Sequence, residues 1–105
     1  MGTPRIVCLC GSTRFKGAFM DANVRETDAG RIVLTVGRFV HVDGEMSAAE
    51  TRKLKTLHLR KIDLADEVLI LNVGGYIGES TRVELQYARA HGKAVRFLEP
   101  ESTKA

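Results

Sequence analysis

Apolar positions along this chain alternate between two spacings. Arg5 to Cys10 (RIVCLC) is a near-continuous apolar run, as a strand covered on both faces requires. Gly11-Ser12-Thr13-Arg14 follows as a tight turn. Phe15, Ala18, Phe19 and Ala22 then recur at helical spacing, and Gly30 supplies a stop. Ile32 to Val36 predicts a second strand, and Gly37 to Met46, with no clear period, a loop. Ser47 and Glu50 form a capping-box pattern that opens a helix running to about Ala65. Leu54, Leu57, Lys61, Ile62 and Ala65 lie along one side of it, the lysine at the margin. Glu67 to Val73 predicts a third buried strand and Gly74 to Ser80 a glycine-rich loop. A helix to His91, stopped by Gly92, and a last strand from Ala94 to Leu98 complete the pattern. Glu99 to Ala105 is expected to be a polar tail.

This β-α-β-α-β-α-β order predicts an α/β fold: a Rossmann-like (flavodoxin-like) three-layer sandwich on a parallel sheet of four to five strands. Such sheets bind ligands beyond the carboxyl ends of their strands, where the strand order reverses. The first and third strands would flank that point. The loops that follow them, Gly11–Arg14 and Gly74–Ser80, are also the two most distinctive segments of the chain.

The 105 residues suffice for one domain with a modest core, which favours a homodimer or higher homo-oligomer. No apolar run approaches the roughly 20 residues of a membrane span. The amino terminus enters an apolar strand at once, without a signal-peptide layout or a convincing myristoylation signal. A cytoplasmic protein without membrane contact is expected. The formal charge of +3 is spread among acids, apart from Arg52-Lys53 with Lys55 and Arg60-Lys61. These groups read as solvated helix faces, so no nucleic-acid partner is expected. Cys8 and Cys10, two apart in a strand, share one face and are awkwardly placed to bridge each other. Buried, reduced thiols are the expectation.

Two segments carry candidate chemistry. In Cys10-Gly11-Ser12-Thr13-Arg14, glycine permits a close backbone approach and the next amides are expected at a helix start, where anions are stabilised. Ser12 and Thr13 add hydroxyls and Arg14 a fork for phosphate or carboxylate; an ordinary strand-to-helix turn would look the same. In Gly74-Gly75-Tyr76-Ile77-Gly78-Glu79-Ser80-Thr81-Arg82-Val83-Glu84, the glycines and the Ser-Thr pair form a loop able to wrap a sugar or phosphate. Tyr76 stacks on a base or shields the loop. Glu84 is expected in the first helical turn, where a carboxylate could attack a glycosidic carbon or stabilise an oxocarbenium ion. The competing reading makes Thr81 and Glu84 the two ends of a capping box. Asp66 either acts at the site or terminates the preceding helix, and His58 lies two turns before it. His41, Asp43 and His58 lack a tight ligand spacing, so neither metal nor cofactor is expected.

CGSTRF, HLRKIDLADEVLILN and GGYIGESTRVELQYA followed by GK, in this order, resemble the nucleoside 2-deoxyribosyltransferase-like superfamily of deoxyribosyltransferases and nucleoside 5′-monophosphate N-glycoside hydrolases. The resemblance covers Ile6 to Leu98. It implies cleavage or transfer at the N-glycosidic bond of a nucleoside or nucleotide through a glutamate nucleophile and a glycosyl-enzyme. It puts the nucleophile on Glu84 and the phosphate or 5′-hydroxyl loop on Gly11, Ser12 and Arg14. Cys10, Thr13, Gly75, Tyr76, Gly78, Ser80 and Thr81 fall within the substrate-binding segments. Family enzymes carry an aspartate where this chain has His58, which would then assist the leaving base. The chain is also shorter than typical members, and a neighbouring subunit can supply the missing pocket wall. Two other readings stand beside this one. A phosphoribohydrolase of the cytokinin-activating type shares an early Cys-Gly-Ser and a loop faintly like GGYIGESTRVE. A non-catalytic nucleotide-sensing module would keep the pocket without turnover.

Overall fold

The computed structural model describes residues 2–39 and 44–100. Four strands, β1 (Ile6–Cys10), β2 (Ile32–Leu34), β3 (Glu67–Ile70) and β4 (Ala94–Phe97), form one all-parallel sheet in the order β2-β1-β3-β4. Helices α1 (Lys16–Asp28), α2 (Ala48–Leu64) and α3 (Glu79–Ala90) alternate with them. This is the Rossmann-like three-layer arrangement that the alternating pattern predicts. The central strands β1 and β3 are nearly continuous in apolar residues because helices cover both of their faces.

Alternation of side chains along the strands divides the core in two. Val7, Leu9, Leu69 and Leu71 pack with Phe19 and Ala22 of α1 on one face. Cys8, Cys10, Val68 and Ile70 pack on the other with Ile62 of α2, Ala65, and Leu85 and Ala88 of α3. Burying one side chain the size of Phe19 or Ile62 contributes about 1.5–3 kcal/mol, so these two small cores carry most of the driving force. No helix among the described residues is long and apolar enough to cross a membrane.

Several boundaries differ from the sequence expectation, each for a tertiary reason. β2 leaves the ladder after Leu34, and the Thr35 carbonyl instead accepts a hydrogen bond from Lys61 Nζ at 2.6 Å. β3 ends before the 3-10 turn Val73–Gly75, whose Gly74 and Gly75 adopt φ of 63° and 84°, a conformation that side chains resist. Glu99 is no free tail. Its backbone pairs with the buried Asn72 side chain, and its carboxylate accepts from the Gly74 N–H at 2.7 Å. By contrast, the Ser47–Glu50 capping box forms as its local spacing predicts. Cys8 and Cys10 are buried, free thiols.

Candidate functional site

Beyond the carboxyl ends of β1, β2 and β3 lies a cleft of about 670 Å³, a volume suited to a small-molecule ligand. It stands at the strand-order reversal between β1 and β3. Gly11 to Arg14 form one wall, Val36 to Arg38 another, and Tyr76 with Gly78 to Thr81 a third. α2 contributes Thr51, Leu54, Lys55, Leu57, His58 and Lys61, and α3 contributes Glu84. Of the ionisable lining, Arg14, Arg38, Lys55 and Lys61 bring positive charge, against Glu45, Glu79 and Glu84.

The turn after β1 is held by its own atoms. Phe15 N–H donates to the Ser12 carbonyl at 3.0 Å, and Ser12 Oγ accepts from Arg14 Nε at 3.2 Å. The Arg14 guanidinium lies 4.7 Å from the centre of the Tyr76 ring, and Phe15 meets the same ring edge-on. Residues far apart in sequence are thus locked into one wall, by a contact worth about 0.5–1 kcal/mol at an exposed site. The expected helix start at Gly11 is absent: α1 begins at Lys16. Gly11 is needed for another reason. A Cβ there would stand 3.1 Å from Leu71 Cβ and 3.2 Å from its carbonyl oxygen, so the close approach is to the β3 exit.

The helix start that does reach the cleft belongs to α3. Gly78 is its N-cap without a side-chain cap, so the first amides of Glu79, Ser80 and Thr81 border the cleft. This overturns two expectations about Glu84. Thr81 lies inside the helix, so no Thr81–Glu84 capping box exists. Glu84 stands beyond the first turn, where the helix dipole has faded. Burial instead raises its pKa above the usual carboxylate value, and the nearby His58 only partly offsets that. A second hollow of about 320 Å³, bordered by Lys55, Leu59 and Val83, shares Glu84 with the cleft.

Beneath Glu84 sits a buried cluster. His58 Nε2 lies 3.7 Å from Cys8 Sγ and 3.5 Å from Cys10 Sγ. The Glu84 carboxyl is near enough to Cys10 and His58 to act on both electrostatically. The hydrogen bond from Cys10 pulls Cys8 well below the ordinary thiol range, helped by His58, while the same bond and burial push Cys10 up. Burial lowers the His58 pKa, but its contacts with Cys8 and Glu84 outweigh that and leave it raised.

The structure brings Gly11, Ser12, Thr13, Arg14, Tyr76, Gly78, Ser80, Thr81, His58 and Glu84 to one cleft. Three expected residues stand elsewhere. Asp66 pairs with the backbone of Ile6, accepting from its N–H at 2.8 Å, at the opposite end of the strands. Gly75 is exposed and does not line the cleft. Cys10 is fully buried and does not line the cleft, although it contacts the cleft residue His58. His41 and Asp43 lie outside the described residues. Thr51, Lys55, Leu57 and Lys61 also line the cleft, a role beyond the helix stripe and solvated face that the sequence assigns to the last three; the mixed polarity of the α2 stripe is its visible trace. No protein-family model and no curated protein matches the chain.

Proposed function

We propose that this protein cleaves or transfers the N-glycosidic bond of a nucleoside or nucleoside monophosphate, with Glu84 as nucleophile. One observation carries the reading: Glu84 and the Gly11–Arg14 turn, 70 positions apart, border the same cleft at the switch point of the sheet. The resemblance described above assigns these segments to the sugar and to its 5′ end.

In this mechanism the Glu84 carboxylate attacks C1′ and forms an ester to the sugar as the C1′–N bond breaks. The electron pair of that bond leaves with the base, which takes up a proton. Water then opens the ester, or a second base takes the sugar. Arg14, the Ser12 hydroxyl and the free amides at the start of α3 suit an anionic 5′ group. His58 serves as a positioning residue: its Nε2 faces the thiols, and it lines the cleft together with Glu84.

The test is base release from a panel of nucleosides, deoxynucleosides and their monophosphates, followed by chromatography. Wild type should release free base, and Glu84→Gln should reduce release by roughly 10³-fold or more, as loss of a nucleophile does. Absence of release across the panel overturns the reading. If nucleotides nevertheless raise the melting temperature, a binding module replaces it.

A further inference from the structure

We propose that Cys8, Cys10 and His58 form a binding site for a thiophilic divalent cation, zinc(II), in the floor of the cleft. The inference rests on the side-chain cluster alone and is independent of the glycosidic chemistry proposed above.

The geometry fits. The three ligand atoms all lie within 4.8 Å of one another. Tetrahedral zinc, with Zn–S near 2.3 Å and Zn–N near 2.0–2.1 Å, holds sulfur and nitrogen about 3.5 Å apart and two sulfurs about 3.8 Å apart. The observed nitrogen–sulfur distances of 3.5 and 3.7 Å are already edges of that tetrahedron. Each ligand comes from a rigid element. Cys8 and Cys10 point the same way because they are two apart on β1, and His58 descends onto them from α2.

The chemistry fits as well. Two thiolates and an imidazole are soft to borderline donors that select zinc over magnesium or calcium. Binding exchanges protons for the ion: one zinc dication displaces the two protons shared among Cys8, Cys10 and His58, giving a zinc dithiolate with a neutral imidazole. The resulting centre is electrically neutral, which suits a site where both cysteines have 0% exposure. His58 borders the cleft and provides the way in. Three protein ligands leave one position for water.

Cobalt(II) is the probe. The reduced, chelator-treated full chain is titrated with cobalt and then with zinc. We expect one equivalent to bind, with thiolate-to-cobalt charge transfer and tetrahedral ligand-field bands that zinc abolishes one for one. Zinc should also raise the melting temperature, as any ligand of the folded state does. Cys8→Ala and Cys10→Ala should each weaken the charge-transfer band and lower affinity by more than the roughly 10–100-fold that outer-shell changes cost. Glu84→Gln should keep the spectrum. Cobalt that binds without charge transfer, or no binding at one equivalent, overturns the site in the wild-type protein alone, whether or not the cysteine variants fold. Loss of the spectrum in Glu84→Gln overturns the three-ligand set.

Discussion

Two polar clusters are buried against the two faces of the sheet, and they are built differently. On the α1 face, Glu26 and Glu67 are 4% and 5% exposed as residues, and Arg96 bridges both carboxylates. Arg5 adds a 2.8 Å ion pair to Glu67, and Arg31 approaches Glu26 at 3.5 Å. On the other face, Cys8, Cys10 and His58 meet under Glu84, and no ion pair to Glu84 occurs among the described residues. The first cluster has its charges matched by groups that stay charged at any ordinary pH. The second consists of groups that exchange protons or bind ions. One therefore holds the fold, and the other lies beneath the cleft at the carboxyl ends of the strands.

The largest effect should come from breaking the first cluster. Arg96→Ala leaves two buried carboxylates undercompensated. Losing one partner of a buried pair costs about 3–5 kcal/mol, and the partial exposure of Arg96 reduces this to about 2–3 kcal/mol. Urea denaturation measures it; a loss below about 0.5 kcal/mol would refute the structural role given to this cluster.

Acid should produce a smaller effect of the same origin. Burial pushes the Glu67 pKa up, but its hydrogen bonds from Arg5 and Arg96 prevail and hold it below the usual glutamate value. A depressed folded pKa gives stability that is complete above the unfolded value of about 4.3 and is lost as the pH falls through the folded one. Melting temperature measured from about pH 6 down to pH 3 should fall in that lower range for wild type. It should fall less steeply for Arg96→Ala, and parallel curves would contradict the assignment.

The smallest change is expected at the other cluster. Glu84→Gln removes a carboxylate that burial disfavours, so unfolding free energy should stay level or rise by up to about 1 kcal/mol, even as base release is lost. A clear loss of stability would place Glu84 among the structural acids with Glu26 and Glu67.

Legibility followed the distance over which each feature is determined. The buried strands, the three helices and the Ser47–Glu50 cap depend on residues a few positions apart, and the pattern of apolar positions reveals them. The start of α3 does not. Thr81-Arg82-Val83-Glu84 has the spacing of a cap, yet the helix begins at Glu79, after a loop anchored to Arg14. β2 stops short because Lys61, 26 residues on, takes the Thr35 carbonyl. That Cys8 and Cys10 share a face was visible in their spacing. That His58 closes over them was not, because 48 residues separate it from Cys10 and only the packing of α2 on the sheet joins them. Asp66 misled for the same reason: its place in sequence is near β3, but it stands at the amino end of the strands.

The stack of Arg14 on Tyr76 has a practical consequence. The chain has no tryptophan and two tyrosines, so its intrinsic ultraviolet emission comes from Tyr76 and Tyr87. Tyr87 is occupied elsewhere, with its hydroxyl on Asp63 and its ring on His91. A molecule that draws the guanidinium away from Tyr76 would change the surroundings of one fluorophore and leave the other as an internal reference. Occupancy could then be followed in real time without a label.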